Sequence, residues 1–280
     1  MMTAPTSYLY VPGDRPDRLD KAFNRGAGAI IADLEDAVAE ENKNLALDTI
    51  IRWLDGLPAK HAPVWVRLNT GRRQEKELHA LASHPHLTGL FLPKADAARD
   101  VEEVHGLLQR GGHDLLLAPM IESATALVNI HDIAAAPGVY QLHIGEMDLA
   151  ADLGLTSGPN ESELLYARSL LVIASRHAGL LPPVAPVSTE IDDHDSFRAS
   201  TQQLKRMGYT GRDCIHPTQI RIASEVFSPT TEEEVWATEV LAASSSNHGA
   251  YRDLAGNMVD EAVLRRARDI VASTAKDSSR

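Results

Sequence analysis

The sequence predicts an α/β chain folded as a (β/α)8 barrel that carries a C-terminal helical lid. Three observations support this. Eight strand-like runs, each followed by a helical pattern, fit into about 220 residues, the size of such a barrel. The stretch Leu115–Ile144 reads as strand, helix and strand, and strands joined by a crossover helix must lie parallel. The first strand is closed by Pro12-Gly13, and the chain has no GxGxxG turn, which a doubly wound open sheet usually carries there.

Taken in order, Ser7–Val11 is the first strand, and Pro16–Arg25 reads as a helix with Gly26 as its stop. Ala29–Leu34 is a second buried strand that runs into the acidic pair Glu35-Asp36. Asn44–Leu54 is helical, and Val64–Leu68 is the third strand, ending near Arg67 and Asn69. Lys76–Ala82 is helical again; Gly89–Leu92 is the fourth strand, with Pro93-Lys94 as its exit, and Ala97–Gln109 the next helix. Leu115–Ile121 and Val139–Ile144 are strands five and six, ending in Glu122 and Asp148. Between them Ala124–Ala135 has apolar residues three and four apart, as a helix requires. A Gly-Pro pair makes TSGPNES an irregular loop. Glu161–Ala178 is a long helix, Pro183–Val187 the seventh strand and Phe197–Met207 a helix. Arg212–Ile215 is the eighth strand, leading into His216-Pro217, and Thr218–Val226 closes the series.

Residues 1–229 are thus expected to form the barrel and residues 230–280 the lid. The lid would open with a capping box at Thr231-x-x-Glu234, bend at the flexible run Ala243–Gly249 and end in a helix over Gly256–Ala272. It could be a cover or an arm that reaches a neighbouring subunit; a helix packed on the barrel wall is the alternative. Val259, Val263, Leu264 and Ala267 form an apolar stripe that must bury against something, and docking on a neighbour would do so.

Composition narrows the function. A net charge of −12 argues against nucleic acid as a general partner. No apolar run approaches the ~20 residues of a membrane span, and the N-terminus lacks the features of a secretory signal. The single cysteine, Cys214, excludes an internal disulfide and fits a reducing cytoplasm; it falls in an apolar strand and reads as core.

Barrel enzymes work where the strand C-termini gather. Arg15, Glu35, Asp36, Arg67, Lys94, Glu122, Asp148 and His216 all fall at that rim. Glu122 and Asp148 come out on neighbouring strands, where two facing carboxylates repel unless they share a divalent cation such as Mg²⁺. Two solvated acids at strand ends are the other reading. Mg²⁺ held by only two carboxylates would leave positions for water and a chelating α-keto or α-hydroxy carboxylate. Arg67 suits the stabilisation of an oxyanion or enolate, or a salt bridge to Glu35 or Asp36. Arg15, Arg18, Lys21 and Arg25 could bind phosphates or form a solvated helix face. His216 reads as a loop-fixing or ligand-contact group, and His79, His84, His86 and His131 as surface.

The motifs YVPGDRPDR, ADLEDAV, VRLN, LPKA, PMIESA, GEMDLAADLG, CIHPTQI and GNMVD occur together, in order, from Tyr8 to about Ala272. The chain thereby resembles the citrate lyase β-subunit-like family of acyl-CoA lyases. The resemblance implies a Mg²⁺-dependent barrel that cleaves or forms a C–C bond next to a CoA thioester. It implies Glu122 and Asp148 as metal ligands, Arg67 facing the thioester carbonyl and Arg15 beside the CoA phosphates. Glu35, Asp36, Lys94 and His216 are expected to help bind the substrate. Asp260 would be the acid/base, delivered by the lid of an adjacent subunit in a homo-oligomer, a trimer or higher, with shared active sites. Citramalyl-CoA is the first substrate expected. Malyl-CoA lyase or thioesterase activity is the alternative, as is a citrate lyase β subunit acting on a citryl carrier protein within a complex. Where the family usually reads Gly-x-Glu-Asp, this chain has Gly145-Glu146-Met147-Asp148, and Glu146 is given no role.

Overall fold

Period-two alternation along short apolar strands sorts one set of side chains into a barrel and the other towards its helices. The structure, a computed structural model, describes residues 4–158, 160–244, 250–253 and 256–277. Eight parallel strands pair in chain order and close into a barrel. They are β1 (Ser7–Pro12), β2 (Ala29–Asp33), β3 (Val64–Arg67), β4 (Gly89–Leu92), β5 (Leu116–Ile121), β6 (His143–Ile144), β7 (Val184–Ala185) and β8 (Gly211–Cys214). The intervening helices are α1 (Pro16–Ala22), α2 (Lys43–Asp55), α3 (Arg72–Leu81), α4 (Ala98–Gly111), α5 (Ala124–Val128), α6 (Ile130–Ala135), α7 (Glu146–Leu153), α8 (Leu165–His177) and α9 (His194–Met207), and α10 (Pro217–Phe227) follows β8. No helix among the described residues is long and apolar enough to cross a membrane.

Tyr8, Ala29, Ile31, Trp65, Phe91, Ala118, Met120 and Val184 form one buried cluster, in which Trp65 meets Phe91 edge-on at 5.5 Å. Burial of such side chains contributes roughly 1.5–3 kcal/mol each. Gly89 is required there: a Cβ would lie 2.3 Å from the Trp65 ring. A polar pair also sits inside, His143 Nδ1 to Asp213 Oδ2 at 2.9 Å. Two residues further along the same inward rows come Tyr10, Asp33 and Arg67, with Glu122 one step beyond β5. The alternation that fills the barrel therefore also delivers these side chains to its C-terminal mouth.

Several expectations need correction. Strand six keeps only His143–Ile144; an isolated bridge, Leu117 to Val139, is what remains of its early part. Asp148 consequently lies in the first turn of α7, not on a strand end. The expected helix Ala124–Ala135 breaks at Asn129, whose Nδ2 donates to the Asp96 carbonyl at 2.8 Å, giving α5 and α6. The long helix begins at Leu165, because Glu161 takes a left-handed conformation (φ 50°) and a 3₁₀ turn, Ser162–Leu164, intervenes. His84 and His86 are half-buried rather than surface groups; His86 bonds His61 at 2.9 Å.

The chain separates into two compact units, Ala4–Ser224 and one built from Glu225 onwards. The second contains α11 (Thr231–Ser244), the two-stranded β9 (Tyr251–Arg252) and β10 (Met258–Val259), and α12 (Glu261–Asp277). Its capping box lies one residue earlier than expected: Glu233 N–H donates to Thr230 Oγ1 and Thr230 N–H to Glu233 Oε2. The stripe of Val259, Val263, Leu264 and Ala267 packs with Ala237, Val240 and Trp236 of α11. It is thus covered within its own unit, which removes it as an argument for docking on a neighbour. Of the expected hinge, Ser245–Gly249 lie outside the described residues.

Candidate active site

Strand register sets the centre of the mouth. Asp33 on β2 is the direct partner of Arg67 on β3, and both side chains point the same way. Asp33 is fully buried and accepts from Arg67 Nε (2.6 Å) and Nη2 (2.5 Å). It also accepts the backbone N–H groups of Glu35 and Ala37, at 2.9 and 3.2 Å. Four donors saturate this carboxylate. Glu35 continues the row: its Oε2 meets Arg67 Nη1 at 2.9 Å and its Oε1 meets Lys94 Nζ at 2.6 Å. Arg67 also lies over the Tyr10 ring, 5.0 Å from its centroid. Burial opposes the Arg67 charge, but the Asp33 carboxylate outweighs it and holds the guanidinium above its ordinary pKa. Arg67 thus does bridge Glu35, but its main partner is Asp33; Asp36 is exposed and outside the network.

Glu122 differs. It is 4 % exposed, yet the only hydrogen bond it accepts among the described residues is from Lys94 N–H to Oε1, at 2.5 Å. Its Oε2 lies 2.4 Å from where a Cβ at position 145 would stand, so Gly145 leaves the space that Glu122 fills. Burial, aided by the nearby Glu35 and Asp148 charges, pushes the Glu122 pKa up to about 7. Asp148, half-buried in the first turn of α7, has no hydrogen-bond partner for its side chain among the described residues. Two donor-poor carboxylates, repelling each other and already hard oxygen ligands, fit a divalent cation. No group of three His, Cys, Asp or Glu side chains converges on a metal position among the described residues.

Among the described residues, none of the remaining candidates in the barrel unit bonds to Arg67, Glu35, Lys94 or Glu122; Arg15, His216 and Asp260 have partners of their own. Arg15 caps α1, is exposed and pairs with Asp17 at 3.3 Å. Arg18, Lys21 and Arg25 are exposed too, interleaved with Asp17 and Asp20, so the face is mixed rather than purely basic. His216 is half-buried and fixes its own loop through Thr218 Oγ1 at 2.9 Å. Cys214 is buried in β8, and burial drives its thiol pKa far up, so it is core. In the C-terminal unit Asp260 is the N-cap of α12, with Oδ1 accepting from Ala262 and Val263 N–H at 3.0 and 3.1 Å.

Two features escaped the sequence reading. Asp33 was legible as the residue two before Glu35 on an alternating strand, and so on the same face. Glu146 is the acid of a separate buried ion pair, gripped by Arg168 Nε and Nη2 at 2.6 and 2.7 Å. Nothing local signals that contact, since the partners are 22 residues apart.

The chain is similar to known proteins over nearly its whole length. The family model described as HpcH/HpaI aldolase/citrate lyase matches residues 6–217. The chain is 34 % identical over 272 residues to the (3S)-malyl-CoA thioesterase of Cereibacter sphaeroides, covering 95 % of this chain and 93 % of that one. It is 28 % identical to the mitochondrial citramalyl-CoA lyase of Rattus norvegicus, over 94 % of this chain and 84 % of the relative. Among solved structures, CitE of Mycobacterium tuberculosis in complex with magnesium, acetoacetate and coenzyme A superposes with a TM-score of 0.78. Its identity is 31 %, over 96 % of this chain and 97 % of that chain.

Proposed function

The chain belongs to the HpcH/HpaI aldolase/citrate lyase family, and from that premise we propose that it cleaves a 3-hydroxyacyl-CoA bearing a carboxylate, citramalyl-CoA first, to pyruvate and acetyl-CoA. The observation that carries the reading is the donor-poor pair Glu122 and Asp148 beside an arginine already fixed by two other carboxylates. Glu122 and Asp148 would hold Mg²⁺, which when bound would supply a Lewis acid to the substrate's oxygens.

Arg67 uses three of its five N–H groups on Asp33 and Glu35. The remaining two are available to the thioester carbonyl. In the retro-Claisen step a base takes the hydroxyl proton, and the electron pair left on that oxygen forms the new carbonyl. The C–C bond breaks, and negative charge moves to the thioester oxygen, opposite Arg67. The enolate carbon then takes a proton, giving acetyl-CoA. Asp260 is our assignment for the acid/base, brought from the C-terminal unit of an adjacent subunit in a homo-oligomer. Arg15 and Lys94 add positive charge for the CoA phosphates and the substrate carboxylate; Asp36 and His216 lie on the surrounding loops. The buried lone cysteine suits a reaction in the cytoplasm.

Hydrolysis is the second reading, favoured by the thioesterase likeness at 34 % identity. The purified chain, alone and with Mg²⁺, is assayed on citramalyl-CoA and malyl-CoA side by side. Acetyl-CoA with pyruvate or glyoxylate supports cleavage; free CoA thiol without a keto acid supports hydrolysis. Turnover only when a carrier-protein partner is added would favour a citrate lyase β-subunit role. The two substrates differ by one methyl, worth about 1–3 kcal/mol in a pocket.

Sharing of sites has its own test, mixing inactive Asp260→Ala and Glu122→Ala chains under subunit exchange. Recovery of part of the wild-type rate is expected, because some mouths receive both an intact metal site and an intact Asp260. Mixed oligomers as inactive as their parents would show that Asp260 does not act across subunits.

A further inference from the structure

Lys94 is a non-glycine residue in a left-handed backbone conformation, φ 51°. For a residue with a Cβ that conformation is strained, and it persists only where surrounding contacts over-determine it. Two contacts do so here. The backbone N–H donates to Glu122 Oε1 at 2.5 Å, and the ammonium donates to Glu35 Oε1 at 2.6 Å. Glu35 in turn holds Arg67 through its other oxygen, at 2.9 Å. One residue therefore joins a candidate metal ligand, by its backbone, to the Arg67 network, by its side chain. The adjoining turns are stitched as well: Ser123 Oγ donates to Asp96, and Asn129 Nδ2 to the Asp96 carbonyl at 2.8 Å. Glu122 Oε1 is then held by Lys94, and its Oε2 lies in the space that Gly145 leaves open.

We propose that Lys94 is a positioning residue: its ammonium, anchored on Glu35, holds the strained turn that aims Glu122 at the cation and keeps that ligand in fixed register with Arg67. The assignment rests on the Mg²⁺ reading given above. It goes beyond a substrate-binding role, because it acts on the protein before any thioester arrives.

The experiment is Mg²⁺ titration by calorimetry of the folded chain without substrate, for wild type, Lys94→Arg, Lys94→Met and Lys94→Gly. Simple electrostatics and positioning predict opposite signs. Removing a positive charge beside two carboxylates should tighten Mg²⁺ binding if charge alone matters. Loss of the anchor should weaken it, by about tenfold as for other residues that orient metal ligands. We expect weaker binding for Lys94→Met, a smaller loss for Lys94→Gly, whose turn needs less holding, and Lys94→Arg within about threefold of wild type, since it can still reach Glu35. Lys94→Gly separates this from a folding defect, because glycine adopts the left-handed turn without strain and should melt no lower than Lys94→Met, which loses the same Glu35 contact. Unchanged or tighter Mg²⁺ binding by Lys94→Met overturns the assignment while leaving the cation site standing. A wild-type chain that binds no Mg²⁺ overturns the cation reading and the assignment with it.

Discussion

Arg67 and Arg168 each grip one carboxylate with two N–H groups and a second carboxylate with one. Arg67 holds Asp33 and then Glu35; Arg168 holds Glu146 and then Glu161, the last at 2.7 Å. In both, burial opposes the guanidinium charge and the bidentate carboxylate outweighs it, so both pKa values stand above the ordinary one. What differs is the surroundings. The second acid of the Arg168 set, Glu161, has a side chain 39 % exposed, so water disposes of the surplus negative charge. Around Arg67 the acids are buried, and two more carboxylates, Glu122 and Asp148, stand beyond Lys94. Counting Arg67 and Lys94 against Asp33, Glu35, Glu122 and Asp148, with all ionised, leaves two negative charges, which one Mg²⁺ would neutralise. Surplus charge is tolerable where solvent reaches it; where solvent is excluded it calls for a ligand.

The largest effect should come from deleting each arginine in turn. Arg67→Met strands two buried carboxylates and Arg168→Met strands one, and breaking such pairs costs about 3–5 kcal/mol. Urea melts should show a loss in both variants, larger for Arg67. Turnover per folded molecule should separate them, falling about 10²–10³-fold for Arg67→Met and much less for Arg168→Met. Equal loss of turnover in both would mean that the mouth network is structural only.

A smaller effect distinguishes the two sets by pH. Glu122 has a folded pKa of about 7 against 4.5 for the free carboxyl, so the folded chain binds more protons between those values. The stability from its protonated form is complete below 4.5 and is lost as pH rises through about 7. The full loss is on the order of 3 kcal/mol. In chelator, the melting temperature should therefore fall between pH 5 and pH 8. Saturating Mg²⁺ should flatten that slope, because the cation binds the ionised form, and Glu122→Gln should reduce it, leaving the smaller part due to Glu35 and Glu77. A metal-free chain whose stability rises over the same interval would contradict the assignment.

Much of the barrel was legible because alternation and helical spacing are local. Ile31 and Trp65 announce inward rows, and continuing those rows leads to Asp33 and Arg67. What was not legible depended on contacts between distant segments. Strand six ends at Ile144; Glu122, one residue past β5, fills the space beside Gly145, and α7 starts at once. That moves Asp148 onto a helix while keeping it at the mouth. The stripe on α12 was visible as a stripe, but its partner, α11, follows from packing that no periodicity shows. The left-handed turn at Lys94 is equally hidden, since LPKA contains no glycine to mark it.

The smallest effect dissects α7, which carries one acid of each set: Glu146 on Arg168, and Asp148 facing Glu122. A glycine flanks each end of this helix, for different reasons. Gly145 has φ −95° and ψ 81°, which alanine can adopt, but its Cβ would meet Glu122 Oε2 at 2.4 Å and Cβ at 2.8 Å. Gly154 has φ 65° and nothing within 4 Å of an added Cβ, so alanine there meets only backbone strain, about 1–2 kcal/mol. Gly154→Ala should thus lower the melting temperature and leave the Mg²⁺ dissociation constant unchanged. Gly145→Ala should act on both: turning Glu122 towards solvent clears its Oε2 and spoils its aim, but the 2.8 Å approach to Glu122 Cβ also forces a backbone shift. A several-fold weaker Mg²⁺ affinity together with a lower melting temperature is expected by calorimetry and thermal melting. If Gly145→Ala binds Mg²⁺ as well as wild type, the orientation of Glu122 is not what the cation requires, and the contrast between the two arginine sets reduces to charge alone.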